Sequence, residues 1–183
     1  ISQYDVLGYD FEGYWEDIGT IRSFYETNLA LTNKNSPFDF YDTDMPVYTR
    51  SRFLPGSIVE NSQLKDCLLA EGCIISSSTI THSVIGIRTI VHAGSTIKDC
   101  VLMGSDYFKK TPLVKDKIAF GIGAGCDIEG AIIDKNVRIG ANVTIKPFPV
   151  GTDLDGKNYY VRDGIVVIPK NVVIPAGTVI APD

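Results

Sequence analysis

The chain has 183 residues, 44% of them hydrophobic, enough to bury a real core in one or two domains. Its net charge is −5 and its pI about 5.0, so it offers no general surface for nucleic acid or an anionic membrane. No apolar run approaches the roughly 20 residues that span a bilayer, and the four cysteines (Cys67, Cys73, Cys100, Cys126) include no Cys-x-x-Cys pair, which fits a reducing compartment.

No signal peptide is visible, and the chain opens at Ile1, without Met, so it is expected to be a piece of a longer protein. Residues 4–15, YDVLGYDFEGYW, alternate loosely and predict a strand. Residues 20–31, TIRSFYETNLAL, place apolar side chains at Ile21, Phe24, Tyr25, Leu29 and Leu31, which is helical spacing, with Thr20 as the N-cap. Asp17 falls on the connection between the two. It is either a cation ligand or a carboxylate favoured near a helix entrance by the N-terminal dipole. Residues 32–57 hold Asn, Pro, Asp, Ser and Gly without a period and read as a linker with extended pieces, the ordered repeat beginning at Ile58.

From Ile58 onward an aliphatic residue recurs every five or six positions. The units run IVENSQ, LKDCL, LAEGCI, ISSST, ITHSV, IGIRTI, VHAGST and IKDCV. After an interruption come IGAGCD, IEGAI, IDKNVR and IGANVT, and after a second interruption IPKNVV and IPAGTV, ending at Ile180. The fifth residue is small or β-branched (Ser62, Cys73, Thr79, Thr89, Ser95, Cys126, Val137, Val143, Val172, Thr178). Such a period fits neither an α-helix nor a hairpin array. It predicts a mainly β solenoid with three faces per coil, the leading aliphatic pointing inward and the fifth residue near a corner. The five-residue units make the coils sixteen or seventeen residues long where they are uninterrupted, with starts at Leu64, Ile80 and Ile97 and again at Ile128 and Ile145. In this register Cys73 and Cys126 are expected to be buried and inert, and Cys67 and Cys100 are equivalent to each other. His82 aligns with Asp66, Asp99 and Gly130 at an outward position, and two histidines are too few for a three-His zinc site.

The hexapeptide pattern resembles the left-handed parallel β-helix. The ordered motifs GYWEDIGT (13–20), NLAL (28–31), YTRSRFLP (48–55), HSVIGIRT (82–89), VLMGSDYF (101–108), GIGAGCDIEGAIIDKNVRIG (121–140) and DGIVVIPKNVVIPAGTVI (163–180) resemble the glucose-1-phosphate adenylyltransferase family over nearly the whole chain. The resemblance implies three regions. Residues 1–35 would be the last strand and helix of the α/β nucleotidyltransferase catalytic domain, 36–57 a linker, and 58–183 the β-helix domain serving regulation and oligomerisation. The family joins ATP and glucose 1-phosphate into ADP-glucose and pyrophosphate, with Mg²⁺ as cofactor. By that resemblance Asp17 is the catalytic Mg²⁺ ligand, Gly19 lets the backbone approach the sugar phosphate, and Trp15 walls the pocket. Glu16 departs from the basic residue of some relatives and receives no role.

The resemblance further implies a phosphate-bearing allosteric effector at Arg50, Arg52, Lys135 and Lys170, a homotetramer, and a cytoplasmic or, in a plant, plastid location. The family's Gly-rich nucleotide loop, catalytic Asp and sugar-phosphate Lys have no counterpart in these residues, so the chain by itself is expected to be inactive. The register adds one geometric expectation. If the interruption at 146–167 is an excursion between the first and second faces, Ile168 stacks on Ile133. Lys135 and Lys170 then share one ridge in adjacent coils, about 4.8 Å apart at the backbone. Like charges so placed call for an anion. Rival readings are another sugar-nucleotide pyrophosphorylase, a non-catalytic regulatory subunit, and a β-helix acyltransferase, for which His82 is the sole candidate base.

Overall fold

The computed structural model describes residues 4–108 and 118–182. The predicted helix is α1, Ile21–Ala30. The Thr20 side chain accepts the Ser23 N–H, and the Ser23 hydroxyl accepts the Thr20 N–H, a reciprocal box that satisfies two donors at the helix start. The strand expected over residues 4–15 does not form: the segment is irregular, with Leu7 and Tyr9 almost fully exposed. Strand residues hold an extended state only when a neighbour takes up their N–H and C=O groups, and no strand lies beside these among the described residues.

The repeat region winds as a parallel β-helix. The first coil carries β1 (Ile58–Glu60) and β2 (Gln63–Leu69), and the second β3 (Ile74–Ser76) and β4 (Thr79–Ile85). The third carries β5 (Ile90–Val91) and β6 (Thr96–Leu102), and the fourth β7 (Gly121–Ile122) and β8 (Asp127–Ile133). Then come β9 (Arg138–Ile139), β10 (Thr144–Ile145), β11 (Leu154–Asp155), β12 (Tyr160–Arg162), β13 (Ile165–Ile168), β14 (Val173–Ile174) and β15 (Val179–Ile180). One face is the ladder β1-β3-β5-β7-β9-β14. Strands β2, β4, β6 and β8 each bend once and so supply two faces. Their first halves continue into β10 and β15, and the second half of β8 continues into β13.

The predicted coil starts pair in register: Leu64 with Ile80, Ile80 with Ile97, Ile97 with Ile128, and Ile128 with Ile145. The leading aliphatics from Ile75 to Ile180 form one continuous buried column. At the open N-terminal end the column position falls to Val59, which pairs with Ile75 and is 43% exposed. Ile58, the expected leading residue of the first unit, pairs with Ile74 outside the column, because this unit too reaches its corner one position early. The second excursion is an antiparallel hairpin of β11, β12 and β13.

Each coil turns its corners through residues with positive φ, and three ridges of them run along the solenoid. One holds Asn61, Ser77, Gly94, Gly125, Asn142 and Gly177; a second holds Asp66, His82, Asp99 and Gly130; a third holds Gly72, Arg88, Asn136 and Asn171. Gly, Asn and Asp dominate because they enter the left-handed region at the lowest cost. The small interior residue follows directly after the corner residue. In the unit ISSST that residue is Ser78, which is buried, while Thr79, expected there, is exposed. The unit has five residues rather than six, so the corner comes one position earlier.

Helix α1 packs on the outside of the solenoid. Leu29, with Phe24 and Tyr25, covers Val101, Ile132 and Ile165. The Tyr25 hydroxyl donates to the Asp99 carbonyl at 2.6 Å, and Arg22 pairs with Asp163 on the hairpin.

Candidate functional site

Asp17 lies in an exposed turn before α1. Its Oδ1 accepts the Gly19 N–H at 3.0 Å, closing an Asx turn, while the helix cap belongs to Thr20. Asp17 therefore organises the helix approach without standing in the first helical turn. Trp15 is 74% exposed. A cleft of about 860 Å³ between this segment and the hairpin is lined by Tyr14, Glu16, Arg22, Glu26, Arg162 and Asp163, with Trp15, Asp17 and Gly19 outside its lining. Among the described residues no group of three or more His, Cys, Asp or Glu side chains converges on one point. Asp17 can give Mg²⁺ one hard carboxylate oxygen. That suits a metal which takes one or two carboxylates and fills its remaining positions with substrate phosphates and water.

The two lysines do share a ridge. Ile168 pairs with Ile133 in the β13–β8 ladder, and the Asn171 N–H donates to the Lys135 carbonyl, so Lys135 and Lys170 occupy the same place in adjacent coils. Their counter-charge comes from within the chain. Lys170 Nζ lies 2.8 Å from Asp106 Oδ2, and Lys135 Nζ 3.4 Å from Asp106 Oδ1. A third donor, Asn136 Nδ2, reaches Asp106 Oδ2 at 3.0 Å, and Asn136 Oδ1 accepts the Asp106 N–H at 2.9 Å. The Lys170 hydrogen bond, then that of Asn136, holds the Asp106 carboxyl down to about 2, and the same contact raises Lys170.

Arg50 and Arg52 sit in the exposed irregular segment before β1. Arg52 reaches only the Arg50 carbonyl, and among the described residues no hydrogen bond or ion pair joins either arginine to the lysine ridge. Asp106 and Asn136 were missed by sequence reasoning. Asp106 lies in the motif GSDYF without an assigned role, because nothing local says that the residue after the corner at Ser105 turns its carboxylate toward lysines of the next two coils. Asn136 carried a signal in the repeated Lys-Asn of IDKN and IPKN. Both asparagines are left-handed corner residues, and their side chains stack, Asn136 Nδ2 lying 3.2 Å from Asn171 Oδ1.

The remaining chemical candidates have structural roles. His82 shares a hydrogen bond through Nδ1 with Asp99 Oδ1 on the next coil of its ridge. All four cysteines are free, three of them are buried, and burial pushes the Cys100 thiol up to about 12, far from the thiolate a nucleophile needs.

Residues 52–179 match the family model of the GLGC left-handed parallel beta-helix domain. The match covers the coils, both excursions and the lysine ridge, and agrees with the motif resemblance, which spans the same coils. The chain belongs to the family of the GLGC left-handed parallel β-helix domain, consistent with the C-terminal part of a glucose-1-phosphate adenylyltransferase.

Proposed function

We propose that this chain is the regulatory and assembly portion of an enzyme that makes ADP-glucose and pyrophosphate from ATP and glucose 1-phosphate. Residues 1–35 end its nucleotidyltransferase domain, and the β-helix binds a phosphate-bearing effector and carries contacts of a homotetramer in the cytoplasm or plastid stroma. Asp17 gives Mg²⁺ a carboxylate in the assembled active site, beside Gly19 and Trp15. Mg²⁺ supplies charge neutralisation on the nucleotide phosphates when bound. Arg50, Arg52, Lys135 and Lys170 make the effector site. The observation that carries this reading is the lysine ridge: two ammonium groups and a buried amide converge on one anion, from coils that the family match covers.

The test is a mutant cycle on effector response in the whole enzyme. Lys135→Glu and Lys170→Glu are each expected to weaken half-saturation by the effector about tenfold, equivalent to 1.4 kcal/mol. The double variant should lose less than the product of the two, because both side chains touch one ligand. Independent, multiplicative losses would separate the lysines into different sites. A companion measurement concerns the chain alone. With no Gly-rich nucleotide loop among its residues, it should release no pyrophosphate from ATP and glucose 1-phosphate above background, and release above background would refute its assignment to a regulatory portion.

A further inference from the structure

We propose that Asp106 is a built-in competitor for the phosphate position on the lysine ridge, so that a phosphate-bearing ligand enters by exchange with this carboxylate. The proposal rests on the effector reading of Lys135 and Lys170 and adds how that site is regulated and which anions it admits.

Three donors already meet at the Asp106 carboxylate: Lys170 Nζ at 2.8 Å, Asn136 Nδ2 at 3.0 Å and Lys135 Nζ at 3.4 Å. Two come from stacked coils and one from a corner residue that is only 4% exposed. These are the donors a phosphate oxygen cluster requires, and the Asp106 carboxylate engages all three. The carboxylate is not part of the ridge. Asp106 stands one residue past Ser105, where the coil ladder from Ile87 through Gly104 to Asn136 is still in register, and its side chain reaches along the ridge to Lys135 and Lys170.

Displacement requires little. The main chain around Asp106 is tied independently of its carboxylate: the Ser105 N–H donates to the Ile87 carbonyl, the Arg88 guanidinium to the Ser105 carbonyl, and the Asp106 N–H to Asn136 Oδ1. A side-chain rotation alone therefore vacates the ridge. Asn136 Nδ2 keeps its Asn171 partner when the carboxylate leaves, so no buried amide is orphaned.

The exchange also sorts anions. A monoanionic carboxylate only replaces like with like and gains nothing against a tethered competitor at high effective concentration. A phosphate dianion brings a second charge and a third acceptor oxygen, and so recovers both lysines more fully.

The experiment is calorimetric titration of inorganic phosphate, with acetate as the monoanion control, at fixed ionic strength into the full chain. The chain is compared with Asp106→Asn, Asp106→Ser, and each of these combined with Lys170→Ala. Both Asp106 variants should bind phosphate about five-fold tighter than the parent, the scale of one exposed ion pair, and should narrow the preference for phosphate over acetate. Adding Lys170→Ala should remove the gain. If the Asp106 variants match the parent while Lys170→Ala abolishes binding, the phosphate site stands and Asp106 is not its competitor. Weaker binding by both Asp106 variants would overturn the proposal by making Asp106 a support for the lysines. Phosphate binding that is absent, or indifferent to Lys170→Ala throughout, would overturn the effector reading itself and the competitor with it. Using Ser as well as Asn separates loss of charge from any packing defect of one replacement.

Discussion

Ile128→Ala is expected to cost about 2–5 kcal/mol of stability, the range for truncating a fully enclosed aliphatic side chain. Ile128 is 0% exposed and stacks between Ile97 and Ile145 at the centre of the buried column. The interior of a solenoid is one residue wide per face, so neighbouring coils cannot slide in to fill the gap without breaking their own ladders. Denaturant unfolding followed by circular dichroism reads the change, with Ile58→Ala as the internal comparison. Ile58 lies on the first strand in register with Ile74, outside the column, and is 59% exposed, so its truncation should cost well under 1 kcal/mol. Equal losses at the two positions would mean that the open end is covered in solution, a result best explained by a subunit contact there.

Asp17→Asn in the whole enzyme is expected to lower kcat about 10²-fold, the scale of removing one preorganised electrostatic group. The substitution separates charge from structure. Asn keeps an Oδ1 that accepts the Gly19 N–H and preserves the Asx turn, and Thr20 with Ser23 still caps α1. What disappears is the negative charge a divalent cation requires. Steady-state kinetics over a Mg²⁺ titration is the measurement, and a variant with near-normal kcat and unchanged Mg²⁺ dependence would leave Asp17 with its turn alone.

The coil length and the inward column follow from the sequence because they depend on spacing. An aliphatic every five or six residues has only one way to become a closed column, and the pairs Leu64–Ile80 and Ile97–Ile128 were readable as repeats. The Ile133–Ile168 pairing, and with it the shared ridge of Lys135 and Lys170, follows once the interruption at 146–167 is placed between the first and second faces, and the structure places it there. Helix α1 was legible for a similarly local reason, since its cap and its apolar spacing lie within a dozen residues. The shift from Thr79 to Ser78 was lost because a five-residue unit moves the corner, and the spacing of leading aliphatics does not say where within a unit the chain bends.

The features that spacing leaves open share one physical origin: contacts between residues far apart in the chain that carry no periodic signal. The solenoid, its coil length from Leu64 onward and the capped helix are legible in the residues alone, because hydrophobic spacing and backbone propensity act over a few residues. Spacing could not determine that residues 4–15, for all their alternation, stay irregular, because strand formation depends on a hydrogen-bonding neighbour. Nor could it place Tyr25 against the Asp99 carbonyl or Arg22 against Asp163, which seat α1 on the outer face. The anion that two stacked lysines require was deducible, but that Asp106 provides it was not. The aliphatic spacing stops at Leu102, so it does not say which way the residue after Ser105 turns, and the place of its carboxylate is settled by the donors it finds there.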